Sequence, residues 1–297
     1  MTAQILVPLD GSRLAEQALS CATRLGQVLP AELVLFRAVS TPHNGRSALH
    51  KDDPEAKASV GDLVAKANDY LQGIVQSLRD TTPDVRCAVR QGPAAKAIAD
   101  YVGEVDIQQI VMATHGYSGL KRLTHGSVAE HVLQNATVPV LMVRGCNLDQ
   151  AGTREPITCR RVLVPLDGSK RAEQILPPVS RMAKPLGCEM ILFQVVPVFM
   201  FETSSQAAER MVKKYLNQVA DRLTEQGIKA SVATGTGMVA ESIVRFAATN
   251  QVDLIAMSTH GRTGISRWAL GSAAAQVLHA GQTPVLLTRA ATQLSRN

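Results

Sequence analysis

Residue types suited to polar ligand chemistry occur in two matching copies along this 297-residue chain. The heptapeptide LVPLDGS occupies residues 6–12 and occurs again at residues 163–169. In each copy an apolar run ends at the Asp, and an amphipathic segment follows the Ser. A carboxylate at the end of a parallel strand can contact a base or a ribose, and it can also start a helix as an Asx turn or N-cap. Both roles stay open for Asp10 and Asp167.

A glycine-rich segment follows the fourth apolar run of each copy. Glycine lets backbone N–H groups approach phosphate oxygens, and the N-terminus of a following helix favours an anion. The segment predicts a phosphate site in each copy; the alternative is that its glycines serve only tight turns and close helix–sheet packing. In both copies nine residues separate the first glycine from the Gly-Ser pair, at Gly116, Gly126 and Ser127 and again at Gly261, Gly271 and Ser272.

Other polar side chains accompany these glycines. Arg122 and Arg267 occupy equivalent positions inside the nine-residue spacers and can neutralise phosphate charge, or they can be solvated loop residues. His115 and His260 directly precede the first glycines. No Ser, Cys or carboxylate stands at a motif spacing from them, so a loop-structuring role is favoured over a catalytic one.

The elements that must position these residues alternate between short apolar runs and amphipathic segments, which is typical of a parallel sheet with crossover helices. We predict two domains, at residues 1–146 and 157–297, joined by a linker at 147–156. Predicted strands lie near residues 4–8, 32–38, 85–90, 107–113 and 138–144, then 161–165, 189–195, 229–233, 252–258 and 285–289. Predicted helices lie near residues 12–25, 53–80, 94–103 and 127–135, then 169–183, 204–226, 240–249 and 272–280.

Composition narrows the class of protein. The chain is 45% hydrophobic and 19% charged, as soluble globular proteins are. Its net charge of +6 comes from scattered residues and only 3% of residues are aromatic, so nucleic-acid binding is disfavoured. Five cysteines without CxxC spacing argue against a disulfide framework and a zinc site, and for a reducing cytoplasm. No apolar stretch is long enough to cross a membrane, and the P-loop, Rossmann, HExxH and nucleophile-elbow motifs are missing.

Taken together, the pattern resembles the universal stress protein family, whose nucleotide-binding members carry G-x2-G-x9-G-(S/T) after the fourth strand. Both copies match at the second glycine, the nine-residue spacer and the terminal Gly-Ser. The DGS openings, the helices GSVAEHVL and GSAAAQVL, and the closing strands TVPVLMV and QTPVLLT extend the resemblance over nearly the whole chain. The first glycine of the family pattern is Ala113 in one copy and Ser258 in the other.

The resemblance implies the fold and a ligand. Each half is expected to be a five-stranded parallel-sheet, Rossmann-like domain of the adenine nucleotide α-hydrolase type, with strand order 3-2-1-4-5. The two halves would pack as a pseudo-dimer, and the chain would form a homodimer. ATP with Mg²⁺ would bind in each half, with adenine near Asp10 and Asp167 and near the main chain at Ala38–Val39 and Val195–Val196. A stress-response regulator or sensor with an unidentified protein partner is then expected, with slow ATP hydrolysis at most.

Two alternatives remain. One is an interaction module of the same family that no longer binds nucleotide, which the replacements at Ala113 and Ser258 favour. The other is a nucleotide-dependent enzyme related to adenylating α-hydrolases, which the missing catalytic constellation disfavours.

Overall fold

The computed structural model describes residues 3–40, 59–79, 81, 84–113, 127–143, 159–196, 202–259 and 270–289. These residues fall into two compact units. Unit 1 contains the described residues up to Val138, and unit 2 contains residues 139–143 together with those from 159 onward.

Unit 1 is built on four parallel strands in the order β3-β2-β1-β4. The two inner strands each contain a run of consecutive buried apolar residues, and Leu6 and Val7 of the first strand have no solvent exposure. A strand that is covered on both faces must be apolar along its whole length, which is why these runs do not alternate with polar residues. The strands are β1 (Ala3–Pro8), β2 (Ala31–Val39), β3 (Val85–Gln91) and β4 (Ile107–Ala113).

The helices of unit 1 follow the predicted order with two differences. The predicted helix at residues 12–25 is two helices that meet at Gln17, where the Gln17 N–H bonds to the Leu14 carbonyl three residues back. The helix predicted from residue 53 begins at Val60, because Ser59 and Asp62 cap each other's backbone there. The helices are α1 (Arg13–Glu16), α2 (Ala18–Val28), α3 (Val60–Leu78), α4 (Ala94–Glu104) and α5 (Ser127–Asn135).

Unit 2 has the strand order β5-β10-β9-β6-β7-β8. All its neighbours are parallel except β5, the fifth strand of the first repeat, which pairs antiparallel with β10. The second repeat therefore has the predicted 3-2-1-4-5 order. The strands are β5 (Val140–Val143), β6 (Arg161–Pro165), β7 (Glu189–Val196), β8 (Ala230–Thr236), β9 (Leu254–Ser258) and β10 (Val285–Thr288).

Prolines decide where the first helix of unit 2 begins. The predicted helix at residues 169–183 starts as a short 3₁₀ helix at Ala172–Ile175, and the α-helix begins at Leu176. Pro177 stands in its first turn, where a missing N–H costs no hydrogen bond. Along the described parts of the chain, no helix has the length and apolarity to span a membrane. The helices are α6 (Leu176–Leu186), α7 (Glu202–Glu225), α8 (Val239–Thr249) and α9 (Ser272–Ala280).

Candidate functional site

The DGS segment of unit 1 forms a tight turn at the carboxyl end of β1. The Ser12 N–H donates to Oδ1 of Asp10 at 2.9 Å, and the Ser12 hydroxyl accepts from the Ala15 N–H at 3.1 Å, which caps α1. Gly11 has a φ of +88°, a conformation that glycine adopts without steric cost. The capping role that the sequence left open for Asp10 is therefore present, and its carboxylate stays exposed at the edge of the sheet.

Unit 2 repeats this turn with the same bonds. The Ser169 N–H donates to Oδ1 of Asp167 at 2.9 Å, and the Ser169 hydroxyl accepts from the Ala172 N–H at 3.1 Å. Gly168 has a φ of +81°. Because the turns match in both units, the carboxylates of Asp10 and Asp167 stand at equivalent places at the ends of β1 and β6.

A cation lies against the turn of unit 1. The Arg37 guanidinium packs against Gly11, and its Nη1 lies 3.1 Å from where a Cβ on Gly11 would be. The central carbon of the same guanidinium lies 4.7 Å from the centroid of the Tyr70 ring. Partial burial opposes ionisation of Asp10, but hydrogen bonds from Ser12 and the positive charge of Arg37 outweigh it, so the pKa of Asp10 is lowered. Asp10 is thus an anion beside a cation, at the mouth of the sheet.

Below the turn, a tyrosine on the long helix of each unit donates to a glutamate. In unit 1 the Tyr70 hydroxyl donates to Oε1 of Glu16 at 2.9 Å, and in unit 2 the Tyr215 hydroxyl donates to Oε1 of Glu173 at 2.9 Å. Burial and then the bond to the glutamate raise the pKa of both tyrosines. The Tyr–Glu pair therefore holds the long helix against the first helix of its unit.

The two units differ in the side chain that follows the buried phenylalanine of the second strand. Arg37 follows Phe36 in unit 1, and Gln194 follows Phe193 in unit 2. Oε1 of Gln194 is buried and has no hydrogen-bond partner within the described part of the chain. In unit 2 a positive charge comes instead from Arg222 on α7, whose Nη2 lies 2.9 Å from Oε2 of Glu173. Sequence reasoning missed these residues, although the tyrosines and glutamates recur at the offsets of the two motifs.

The glycine-rich segment of unit 2 brings a helix N-terminus to the end of a strand. The Gly271 N–H donates to the Thr259 carbonyl at 2.8 Å, directly after β9, and Gly271 is the N-cap of α9. Gly271 has no side chain with which to cap the helix, so α9 begins without a side-chain hydrogen bond to its first N–H groups. Its φ of −56° is one that any residue adopts, so the backbone conformation does not require a glycine at this position.

Ser258 ends β9 beside this helix start. It is only 6% exposed, and its Oγ has no hydrogen-bond partner among the residues that the structure describes. A buried hydroxyl without a partner costs about 1–3 kcal/mol, so a ligand atom that satisfies it would gain binding free energy. The matching position in unit 1 is Ala113, which is half-buried at the end of β4 and brings no such group.

The remaining predicted residues of the glycine-rich segments divide between described and undescribed parts of the chain. Ser127 begins α5 and is exposed, and Ser272 begins α9. Residues outside the described ranges are His115, Gly116, Arg122 and Gly126 in the first repeat and His260, Gly261 and Arg267 in the second.

The main chain at the end of β2 is oriented by its pairing with β1. The Leu9 N–H donates to the Phe36 carbonyl, so Phe36 faces β1, and alternation turns Ala38 the same way and Val39 toward β3. The Val39 carbonyl indeed accepts the Gly92 N–H at 2.9 Å. In unit 2 the Leu166 N–H donates to the Phe193 carbonyl, so Val195 faces β6 and Val196 faces β8. Of the predicted pairs Ala38–Val39 and Val195–Val196, Ala38 and Val195 are therefore the residues whose main chain faces the strand that carries the DGS turn.

Comparisons with known proteins agree with this architecture. The model of the universal stress protein family matches residues 1–144 and 158–289. A universal stress protein of Methanocaldococcus jannaschii is 30% identical over 139 residues, which cover 44% of this chain and 82% of the relative. One of Synechocystis is 24% identical over 303 residues, which cover 96% of this chain and 99% of the relative.

Solved structures show the same fold. A universal stress protein from Archaeoglobus fulgidus superposes with a TM-score of 0.73 at 20% identity, over 97% of this chain and 98% of its own. One from Pseudomonas aeruginosa gives a TM-score of 0.67 at 18% identity, over 97% and 93% of the two chains. Since the family model matches both repeats and a curated relative matches the chain nearly end to end, this chain belongs to the universal stress protein family as a member with two copies of its domain.

Proposed function

We propose that this protein is an adenine nucleotide-binding regulator or sensor of the stress response, with one site in each unit. ATP, together with Mg²⁺ on its phosphates, is the expected ligand. The adenine would lie between the DGS turn and the end of the second strand, and the phosphates at the glycine-rich segment. The family membership of both repeats supports this assignment, and the carboxyl ends of the strands are where ligands bind open α/β sheets.

One observation carries the phosphate part of the proposal. In unit 2 the N-terminus of α9 stands at the end of β9, held by the bond from Gly271 to Thr259, and it lacks a capping side chain. The N–H groups of its first turn remain available to an anion, and the helix dipole favours negative charge there. The buried Oγ of Ser258 adds a hydroxyl that the described protein leaves unsatisfied. The combination suits a phosphate group better than a purely structural turn.

The proposed contacts are equivalent in the two units. The carboxylate at the DGS turn would accept from the ribose or the base, and the main chain of the second strand would meet the adenine edge. No residue is proposed as a general base, so hydrolysis would be slow at most. The proposed residues are Asp10, Ala38, Val39, Ala113, His115, Gly116, Arg122, Gly126 and Ser127 in repeat 1, and Asp167, Val195, Val196, Ser258, His260, Gly261, Arg267, Gly271 and Ser272 in repeat 2.

The test is a calorimetric titration of nucleotide-stripped protein with Mg·ATP, analysed for stoichiometry. We expect two sites per chain, and one site for each of the variants Gly126→Val and Gly271→Val, because a branched Cβ would stand where phosphate and backbone meet. Gly103→Val is the matched control and keeps two sites, since a Cβ at Gly103 on α4 meets nothing within 4 Å. Two full sites in both variants would show that the phosphate assignment is wrong.

A second candidate is an interaction module that has lost nucleotide binding. The side chains of Ala113 and Ser258 favour it, because both stand where the family pattern has a glycine. The same titration separates the two functions: wild-type protein that gives no saturable heat with Mg·ATP would support the interaction module. A single site per chain would mean that one repeat binds and the other has diverged.

A further inference from the structure

Two cysteines stand side by side at the amino ends of neighbouring strands in unit 2. Cys159 lies two residues before β6, and Cys188 directly precedes β7. The two strands are parallel with Arg161 opposite Glu189, and the Glu189 N–H donates to the Arg160 carbonyl at 2.8 Å. This register places Cys188 opposite Arg160, with Cys159 one residue further along the neighbouring segment. Because adjacent strands lie about 4.8 Å apart and one residue spans about 3.3 Å, the two cysteines still fall within the Cα separation that a disulfide requires.

The Cys188 side chain contacts the main chain of Cys159. The Cys188 thiol donates to the Cys159 carbonyl oxygen at 2.8 Å, so its sulfur already reaches the other cysteine. A hydrogen bond from the side chain of Cys159 lowers the pKa of Cys188, against the opposing effects of burial and of the Asp253 carboxylate. Cys188 is only 2% exposed, whereas Cys159 is half-buried and is therefore the more accessible of the two.

We propose that Cys159 and Cys188 form a redox modification site that hydrogen peroxide converts to a disulfide. The Cys159 thiolate attacks the peroxide, an S–O bond forms as the O–O bond breaks, and the departing hydroxide takes a proton to become water. The Cys188 thiolate then attacks the Cys159 sulfur, the S–S bond forms, and the S–O oxygen leaves as a second water. Two thiols lose two electrons, and one peroxide accepts them.

The pair belongs to unit 2 alone. Ala31 occupies the position of Cys188 in the first repeat, so the equivalent strands of unit 1 cannot be joined in this way. Cys87 of unit 1 is a useful contrast, since it is half-buried on β3 and burial raises its pKa. A thiol with a raised pKa is a poorer source of the thiolate that reacts with peroxide. Cys159 also has Cys188 in contact to complete the disulfide, so oxidation should select the pair over Cys87.

The position of the pair determines what its oxidation changes. It stands at the amino end of β6, whereas Asp167 follows the carboxyl end, so the whole strand separates the disulfide from the proposed nucleotide site. The disulfide would close a loop of roughly 30 residues around α6, which restricts the unfolded chain. The expected effect is a more stable unit 2 with an unchanged ligand edge.

The test treats reduced full-length protein with a small molar excess of hydrogen peroxide, alkylates it under denaturing conditions and maps it by mass spectrometry after trypsin digestion. Lys170 and Arg171 lie between the two cysteines, so the disulfide appears as two linked peptides. We expect a Cys159–Cys188 link whose mass is two hydrogens below that of the reduced pair and that dithiothreitol reverses. The other three of the five thiols should still be alkylated. The oxidised protein should melt several degrees above the reduced one.

Variants check the assignment. Cys188→Ala should abolish the link and the rise in melting temperature, and it should leave Cys159 as a sulfenic acid that dimedone traps. The matched control Cys87→Ala should keep the link and the rise in melting temperature. The peptide map of wild-type protein decides the matter even if a variant fails to fold. A link through Cys87, Cys21 or Cys146, a link between two chains, or survival of all five thiols would overturn the proposal.

Discussion

Single residues distinguish the two otherwise matching DGS turns. The turn itself is the same in both units, with an Asx bond from the serine N–H and a glycine at positive φ. The neighbour differs, because Arg37 covers the turn in unit 1, and the equivalent residue of unit 2 is Gln194, whose Oε1 is buried without a hydrogen-bond partner among the described residues. A buried amide and a guanidinium have different hydrogen-bonding capacity, so the two sites should differ in affinity.

Ser12→Ala tests the turn at the residue scale. The change removes the N-cap of α1 and the hydroxyl that helps to lower the pKa of Asp10, and it should cost about 1 kcal/mol of stability near neutral pH. A lowered carboxyl pKa stabilises the fold above the unfolded value, and this contribution is lost as the pH falls through the folded value. Urea unfolding should therefore show a larger difference from wild type at neutral pH than in acid.

The control for this prediction is Ser77→Ala. Ser77 is exposed near the end of α3, and its hydroxyl donates to the Ile74 carbonyl of its own helix, so its loss should have little effect at either pH. An equal loss of stability for Ser12→Ala at neutral and acid pH would contradict the proposed link between the hydroxyl and the Asp10 pKa.

At the scale of elements, the helices differ in how they begin. Ser12 caps α1, and Ser59 with Asp62 forms a capping box on α3. Helix α9 begins at Gly271 with no side-chain cap, directly after its bond to Thr259. An uncapped helix start costs stability unless water or a ligand satisfies its N–H groups. Helices α2, α4, α6 and α8 also begin without a side-chain cap, so the anion site proposed at α9 rests on the start of this helix beside the end of β9 and on the buried Oγ of Ser258.

Gly271→Asp and Gly271→Asn give a matched pair for this idea. Both side chains cap a helix well, and the φ of −56° at this position suits either one, so both variants should keep or slightly raise the stability of unit 2. Only the aspartate adds a negative charge where the phosphates are proposed to bind. Titration with Mg·ATP in a Gly126→Val background should show much weaker binding for Asp than for Asn; equal affinities would contradict an anion site at α9.

At the scale of the whole molecule, strand β5 belongs to the unit whose strand it pairs with and not to the repeat it comes from. It comes from the end of the first repeat in sequence, yet it lies in unit 2, antiparallel to β10 from Val285↔Met142 to Leu287↔Val140. Its four residues are all buried, so its stability depends on the strands that cover it. Local unfolding of β5 should therefore become easier when unit 2 is destabilised.

Matched core substitutions test this assignment. Leu6→Ala in β1 and Leu163→Ala in β6 remove the same side chain from positions without solvent exposure, and each should cost about 2–5 kcal/mol. Hydrogen exchange followed by mass spectrometry should show faster exchange of β5 amides in Leu163→Ala than in Leu6→Ala. The opposite order would contradict the assignment of β5 to unit 2.

Much of the fold could be predicted from local patterns. Apolar runs, glycine turns and the repeated motifs predicted each strand to within a few residues, because a buried strand must be apolar and a helix must begin at a cap. The resemblance supplied the strand order, which the second repeat has in full. Helix boundaries were harder to predict where a break or a proline changed the start of a helix, as at Gln17 between α1 and α2 and at Pro177 in α6.

By itself, the sequence determined the two-repeat organisation, the DGS turns and the family, since these depend on residue types at short spacings. Only the tertiary structure decided which distant residues meet. It brought Arg37 onto Gly11, turned Ala38 rather than Val39 toward β1, and set Cys159 against Cys188. Such contacts depend on strand register and side-chain packing, which join residues about 30 positions apart and leave no periodic signal in the chain.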